Sequence, residues 1–525
     1  MMELERALNV AAVAAFGAMI AFPLLTLHTE VGRVSVLENK VLAELPSISA
    51  ENLFTRQFTE ALDTYFTDRI GMKDEATLLH IGAMYRLFDR LAIPNYIIGK
   101  EQHVFYITPS IMETFQRLDH VSEEDLRKLG SRIECLSDSL QAAGKTFIFM
   151  PIPNKEAIYG EYMPDNIHVM SYEPMLSSFS DYLRKQTTVC TVDTENALFQ
   201  HKEDSQLLYY RNIDATHWNH YGMLWGYQAL MDQICVKAPS VKRINSDEII
   251  IEREDTHSAF LSLQKYDMIQ DTFSDLNDYN YNITPIDGWH ARKNNAMPGC
   301  VLSEDSQNRY FHYHNDVAIN DKSIIVCGDS YIWSFMLPLL GESFSDVYFV
   351  AASCSADEIS NVLSVADPDI IVFETVARMV NYKRLEQLIE TLCDACNEAM
   401  QLQNLNLIPV AADKESAFQF DNTVINETHT ISLSENRVEG NIQITGWTAD
   451  FAAQAPTGKV WFKIGNTYYS AEQVERPDLE EAFRMSGYRI CFPESLLAGI
   501  STLEAIALTE DGLARFPTTL LQLIP

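Results

Sequence analysis

Hydrophobic positions along this chain fall into three successive regimes. Near the start, Ala7 to Leu27 runs for 21 residues without a charge, matching the roughly 20 apolar residues that a membrane-spanning helix needs. No A-x-A cleavage site closely follows it, so residues 1–34 are expected to form an uncleaved membrane anchor. Next, Phe54, Phe58, Leu62 and Phe66 recur every four residues, and a further apolar run extends from Leu78 to Leu91. That spacing places the apolar groups on one helix face and predicts a helical leader over 35–96.

From about residue 97 the pattern changes to short buried runs alternating with helical periods, as in a parallel α/β sheet. Thr146–Met150, Ser323–Cys327, Val347–Val350 and Asp369–Phe373 read as strands, and Lys383–Gln403 as a long amphipathic helix. These runs predict an α/β domain over 97–412. Its stretch from about 255 to 320 is rich in Asn, Asp and Tyr and reads as a long surface insertion. Beyond residue 415, short alternating runs such as Asn441–Trp447 and Val460–Ile464, the latter followed by the turn signal Gly465-Asn466, predict a β-sandwich over 418–525.

A chain of 525 residues is too long for one core and fits two or three domains. Its 39 basic and 73 acidic side chains leave a net charge of −34, a field that repels nucleic acid and disfavours a polyuronic acid substrate. The cysteines number nine, an odd count with irregular spacing, and the Cys393–Cys396 pair lies inside a helical pattern with no second pair. The cysteines therefore suggest no zinc site and no dense disulfide framework.

The chemistry-bearing segments are two. Gly328-Asp329-Ser330 directly follows a predicted strand, and ligands of open α/β sheets bind beyond the carboxyl ends of strands. A serine hydroxyl becomes a useful nucleophile only beside a base. Asp214-Ala-Thr-His217 supplies one: Asp214 can hold one imidazole nitrogen while the other faces Ser330. His220 is a local rival. His312 and His314 alternate on a presumed strand and, lacking a third ligand, read as surface residues. Trp447 and Trp461 read as sandwich core before sugar platforms.

Together, the GDS and D-x-x-H segments resemble the SGNH hydrolase superfamily, in which the GDS block comes first and the D-x-x-H block last. Here the order is reversed. Val347–Ser353 resembles the second strand and its oxyanion loop, with Ser353 as a candidate. Pro368–Glu374 resembles the third. The arrangement resembles a circularly permuted SGNH fold, a flavodoxin-like parallel sheet with flanking helices. Behind an N-terminal anchor, it resembles the AlgX/AlgJ-like family of polysaccharide O-acetylation proteins. Further fragments match in order: Glu38-Asn-Lys40 with Leu42–Pro46, Asp68–Lys73, Ile98–Phe105, Pro153-Asn-Lys155 with Tyr159, Thr216-His-Trp218, and Glu374–Arg378. The resemblance marks Lys155, Tyr159 and Arg378 as further candidates. Lys155 would hold glycan or acyl carrier or form a structural ion pair. Arg378 would orient substrate or, preferably, pair with Glu374.

The resemblance implies O-acetyl transfer to an exopolysaccharide or cell-surface glycan through an acetyl-serine, with Ser330, His217 and Asp214 as triad. It implies no cofactor, a membrane-bound acyltransferase partner of MBOAT type, and an anchored chain whose bulk lies in the periplasm or at the cell surface. An acetyl esterase and a non-catalytic glycan-binding scaffold are the alternatives. Two departures stand out. Ala215 occupies the place where the family commonly carries Asp, and no counterpart of the usual block-three Asn lies near Glu374.

Overall fold

The computed structural model describes residues 2–35, 40–49, 52–256, 273, 276, 278–294, 309–405, 407–411, 418–421, 424–425, 429–438, 441–465 and 467–524. Glu38, Asn39, Asn466 and much of the predicted insertion lie outside the described residues.

Helix α1 (Met2–Leu25) covers most of the uncharged N-terminal run. Among the described residues no helix is long and apolar enough to cross a membrane, so the expected transmembrane helix is not found. The helix that forms begins inside the charged segment preceding Ala7 and stops two residues short of Leu27. Helices α2 (Arg56–Arg69) and α3 (Lys73–Phe88) follow. The predicted four-residue stripe on α2 is only partly used: Phe58 is buried, whereas Phe54 precedes the helix and is exposed. The stronger anchor is Arg69, buried beneath the leader. Its guanidinium donates to the carbonyls of His28, Glu30 and Ala43, while Asp68 takes Lys40 at 2.7 Å.

The α/β region is built on a mixed seven-stranded sheet. Its strands, in chain order, are β1 (Thr146–Ile152), β2 (Cys190–Thr191), β3 (Arg292–Asn294), β4 (Tyr310–His314), β5 (Asn320–Gly328), β6 (Phe344–Ala351) and β7 (Ile370–Val376). They lie in the order β2-β1-β7-β5-β6-β4-β3. The first five in that order are parallel, and β4 and β3 continue antiparallel at one edge. The central strands are apolar on both faces because helices cover the sheet: every residue of β7 is buried. Helices α4 (Glu123–Ala142), α5 (Met175–Gln186), α6 (His220–Lys237), α7 (Ala356–Ala366) and α8 (Tyr382–Gln403) provide that cover. Ser122 caps α4 by accepting from Asp125 N–H, and Ser355 with Glu358 forms a capping box on α7, each cap contributing about 1 kcal/mol.

The predicted insertion is not wholly surface loop, since it supplies edge strands β3 and β4. A hairpin of Ile249–Thr256 with Asp278–Pro285 also forms there. The C-terminal region is β-rich. A five-stranded and a six-stranded sheet share one core, with Ile442, Ile444 and Phe492 facing Phe462, Leu503 and Leu521. Trp461 belongs to neither a sugar platform nor that core. It is fully buried against Leu402 and Leu405 at the end of α8, and its indole N–H donates to Glu398 at 2.5 Å.

Candidate active site

Parallel pairing brings four strand ends to one edge of the sheet. Gly328 lies opposite Ala351, Cys327 opposite Phe373, and Val376 opposite Ile152. The serine loop, the Ala352–Ser353 loop, the Ala377–Arg378 turn and Pro153–Lys155 therefore emerge side by side. The serine loop starts a single helical turn, Ser330–Trp333, capped by Asp329, whose side chain accepts from Tyr331 N–H at 2.9 Å.

The histidine arrives from a separate segment. An antiparallel bridge between Tyr209 and Trp218 folds the 207–219 loop back on itself, and Asn219 caps α6 immediately behind it. Trp218, fully buried, donates its indole N–H to the Tyr331 carbonyl at 3.1 Å. This bond ties the histidine loop to the serine loop across 113 residues of chain.

His217 Nε2 lies 2.8 Å from Ser330 Oγ, and His217 Nδ1 lies 2.9 Å from Asp214 Oδ2. An ionised carboxylate only accepts, so Nδ1 carries the proton and Nε2 presents its lone pair to the serine hydroxyl. The other Asp214 oxygen accepts from the backbone N–H groups of Thr216 at 2.8 Å and His217 at 3.0 Å, and from the Thr216 hydroxyl at 2.8 Å. Burial raises the Asp214 pKa, but the His217 hydrogen bond and charge, followed by these amides, outweigh it. The carboxyl is held well below the usual range. It stays ionised at any pH where the imidazole acts, the condition for orienting and stabilising an imidazolium. The D-x-x-H spacing thus suffices, and Ala215, at the departure from the family pattern, packs in a small apolar cluster with Val104 and Leu276. His220 does not reach the serine; it faces Phe335 edge-on.

Beneath the serine, Glu374 is fully buried and accepts from Asp329 N–H at 2.8 Å. Burial, then the Asp329 charge, pushes its carboxyl far above the usual range. The expected Arg378–Glu374 ion pair is not formed. The Glu374 side chain turns into the space that Gly328 leaves open, and Arg378 reaches instead to the Tyr331 hydroxyl at 2.9 Å. That hydroxyl in turn donates to the Thr216 carbonyl beside His217. Tyr331 therefore links the arginine, the serine turn and the histidine loop. Sequence reasoning missed it, because its only signal is adjacency to Ser330.

A side chain at Gly328 has no room: its Cβ would lie 2.4 Å from Glu374 Oε2. Gly328→Ala is expected to displace the glutamate, break its bond to Asp329 and cost about 1–3 kcal/mol. Chemical denaturation reads that loss, and kcat should fall more than KM rises, because the serine turn shifts.

Lys155 and Tyr159 do not face the site. Lys155 is buried and donates to the carbonyls of Val104 at 2.6 Å and Arg211 at 2.9 Å. Tyr159 is buried and its hydroxyl accepts from Leu208 N–H at 3.0 Å. Both hold the chain behind the histidine loop. The one-residue neighbour Glu156 is also buried, and desolvation pushes its carboxyl up to about 7. Between about pH 4.5 and 7 the folded chain keeps a proton that the unfolded chain has lost, so stability falls as pH rises through that window. Glu156→Gln removes the fall. Denaturation curves should show the variant gaining up to about 3 kcal/mol on wild type between about pH 4.5 and about pH 8.

A cavity of about 360 Å³ opens beyond the ends of β1 and β2, lined by Asn154, Glu156, Thr194 and Ala377 among others. Ser330 and His217 do not line it. Ser353 is exposed on the loop after β6, where Ala352 N–H donates back to the Gly328 carbonyl at 2.9 Å. His312 is not a surface residue, because Asp346 joins it and His314.

Comparison with known proteins gives one family match: residues 112–277 match the family described as "SGNH hydrolase-like domain, acetyltransferase AlgX". That stretch holds Asp214 and His217 and ends before Ser330. No curated protein matches. Among solved structures, Bacillus cereus PatB1 is similar at 15% identity, covering 54% of this chain and 96% of that one, with a TM-score of 0.39. The O-acetyltransferase domain of Pseudomonas putida AlgJ is similar at 17% identity, covering 56% and 99%, with a TM-score of 0.34. Pseudomonas aeruginosa AlgX is similar at 12% identity, covering 76% and 86%, with a TM-score of 0.35. Likenesses this slight carry nothing further. Over residues 112–277, then, this chain is similar to the SGNH hydrolase-like domain of AlgX acetyltransferases.

Proposed function

We propose that this chain is a serine-dependent O-acetyltransferase that moves an acetyl group onto a polysaccharide hydroxyl. The observation that carries the reading is a single imidazole, His217, hydrogen-bonded to the Ser330 hydroxyl on one side and to the Asp214 carboxylate on the other.

His217 Nε2 takes the Ser330 proton as Oγ attacks the donor's acetyl carbonyl. The negative charge then developing on the carbonyl oxygen is met by backbone N–H groups. The Ser330 amide opens its helical turn and has no partner within it; Ser353, in the adjacent loop, is the second donor in this reading. Collapse of the tetrahedral species expels the donor's oxygen, which receives the proton from His217, and leaves acetyl-Ser330. The acceptor hydroxyl then gives its proton to Nε2 and attacks the ester, and His217 returns the proton to Ser330 Oγ. Arg378, held by Tyr331 and by the bond from its own N–H to Asn154, positions the serine turn.

In this reading the acceptor is an exopolysaccharide or cell-surface glycan, and a membrane-bound acyltransferase supplies the acetyl group. The site of action then lies outside the cytoplasm. Incubation with a chromogenic acetyl ester, with and without a neutral oligosaccharide, tests the proposal. Acceptor-dependent acetylation of the oligosaccharide is expected. Turnover that yields only free acetate would assign an esterase, and retained glycan binding with no acetyl group on Ser330 after donor incubation would favour a glycan-binding scaffold.

A further inference from the structure

On the β3–β4 edge, three strands present one row of ligand-forming side chains on the same face. In the register of the sheet His314 lies opposite Asp346 of β6 and Arg292 of β3, and His312 lies opposite Tyr348 and Asn294. Directly opposed residues share a face, and residues two apart along a strand repeat it. The two histidines and Asp346 therefore converge by sheet geometry. Asp346 Oδ1 lies 2.8 Å from His312 Nε2 and 2.9 Å from His314 Nδ1, and the three candidate ligand atoms all lie within 4.8 Å of one another.

We propose that His312, His314 and Asp346 form a binding site for a divalent transition metal of the zinc class, which fastens the antiparallel edge of the sheet to its parallel core. Two imidazoles and one carboxylate are the donor set of such ions and a poor one for magnesium or calcium, which take oxygen ligands. Zinc holds N and O ligands at about 2.0–2.1 Å, so tetrahedral neighbours sit roughly 3.3 Å apart. The two Asp346 contacts need to open by only about half an ångström to admit it, and the two histidine nitrogens already lie within 4.8 Å of each other.

The surroundings fit a metal site. His312 is buried, stacked on Tyr348 at 4.7 Å, so its ring is fixed. Its Nδ1 lies 2.8 Å from the Asn294 amide nitrogen, so that without an ion Nδ1 accepts and Nε2–H donates to Asp346. With the amide oxygen turned to that nitrogen, Nδ1–H donates to it and Nε2 is left with its lone pair toward the centre. His314 and Asp346 are partly exposed and provide the way in. Asp316, 3.0 Å from the outer nitrogen of His314, serves as the carboxylate that orients a ligating imidazole. Arg292, whose charge opposes a cation, lies on the same face and is exposed to solvent, which screens it.

The site stands apart from the triad. Asp346 precedes Ala351, at the active-site end of β6, by five residues, or about 16 Å of strand. The proposed ion is structural and takes no part in the acyl transfer proposed above.

The test is a calorimetric titration of the chelator-treated full chain with zinc chloride, repeated on His314→Ala, Asp346→Asn and His217→Ala. One equivalent should bind to wild type and raise its melting temperature, with magnesium chloride giving no shift. That equivalent should be lost in His314→Ala and Asp346→Asn and kept in His217→Ala. Both informative positions are partly exposed, and their unliganded melting curves report whether the variants fold. Zinc uptake of less than one equivalent by wild type would overturn the proposal. So would uptake unchanged by His314→Ala and Asp346→Asn, or uptake abolished by His217→Ala, which would place the ion at the triad.

Discussion

Ser330→Ala is expected to lower acetyl transfer by about four orders of magnitude or more, with the fold unchanged. The hydroxyl makes one contact that matters, the 2.8 Å bond to His217 Nε2, and no buried partner is orphaned by its loss. His217→Ala should cost a similar factor. The double variant should be no slower than either single one, because the two side chains act as a unit and the second removal has nothing left to disable. Initial rates on a chromogenic acetyl ester, with far-UV circular dichroism and melting curves as the check on folding, read all three proteins. An additive loss in the double variant would mean that serine and histidine work separately.

Asp214→Asn should slow the reaction almost as much, on the order of 10⁴-fold, while preserving every heavy-atom position. The effect comes from a proton. Asp214 accepts from His217 Nδ1 at 2.9 Å and so fixes the proton there. An asparagine whose amide group turns toward Nδ1 donates instead, moving the ring proton to Nε2, where it faces the serine and blocks proton abstraction. Loss of the carboxylate also removes the charge that stabilises the imidazolium. The fall should appear in kcat with KM little changed, since Asp214 touches no substrate in this mechanism. Asp214→Glu, one methylene longer, should recover part of the rate, which a purely structural role for the loop would not predict.

Local chemistry was easy to read from the sequence, and long-range partnership was not. The four strands around the site announced themselves because both faces are covered, so Ile324–Cys327 and Ile370–Phe373 are unbroken apolar runs. The triad was legible because Asp214 and His217 are three residues apart and Ser330 follows a strand. Edge strand β3 was not, because Arg292–Asn294 is polar and exposed, and of β4 only the alternation of His312 and His314 suggested a strand, since Tyr310–His314 is mixed and partly exposed. The same polarity concealed Asp346 as the third member of the histidine cluster.

Lys155 illustrates the reverse error. A lysine in a family-like segment invites a ligand, yet its amine ends on two backbone carbonyls beside the Phe105 ring. Burial in that pocket pulls its pKa down to about 7, a setting that sequence spacing does not encode. Arg378 was found, but its partner was not. The choice between Glu374 and Tyr331 depends on which side chain fills the space beside Gly328, and that is decided by packing between strands rather than by spacing within one.

Acid-quench peptide mapping of the protein during incubation with an acetyl donor is the most direct single measurement. The wild-type peptide that contains Ser330 should be heavier by one acetyl group, and this label should be absent from His217→Ala and Asp214→Asn quenched at the same time point. Acetyl found on another side chain, or on Ser330 at the same level without His217, would contradict activation of this serine by that imidazole.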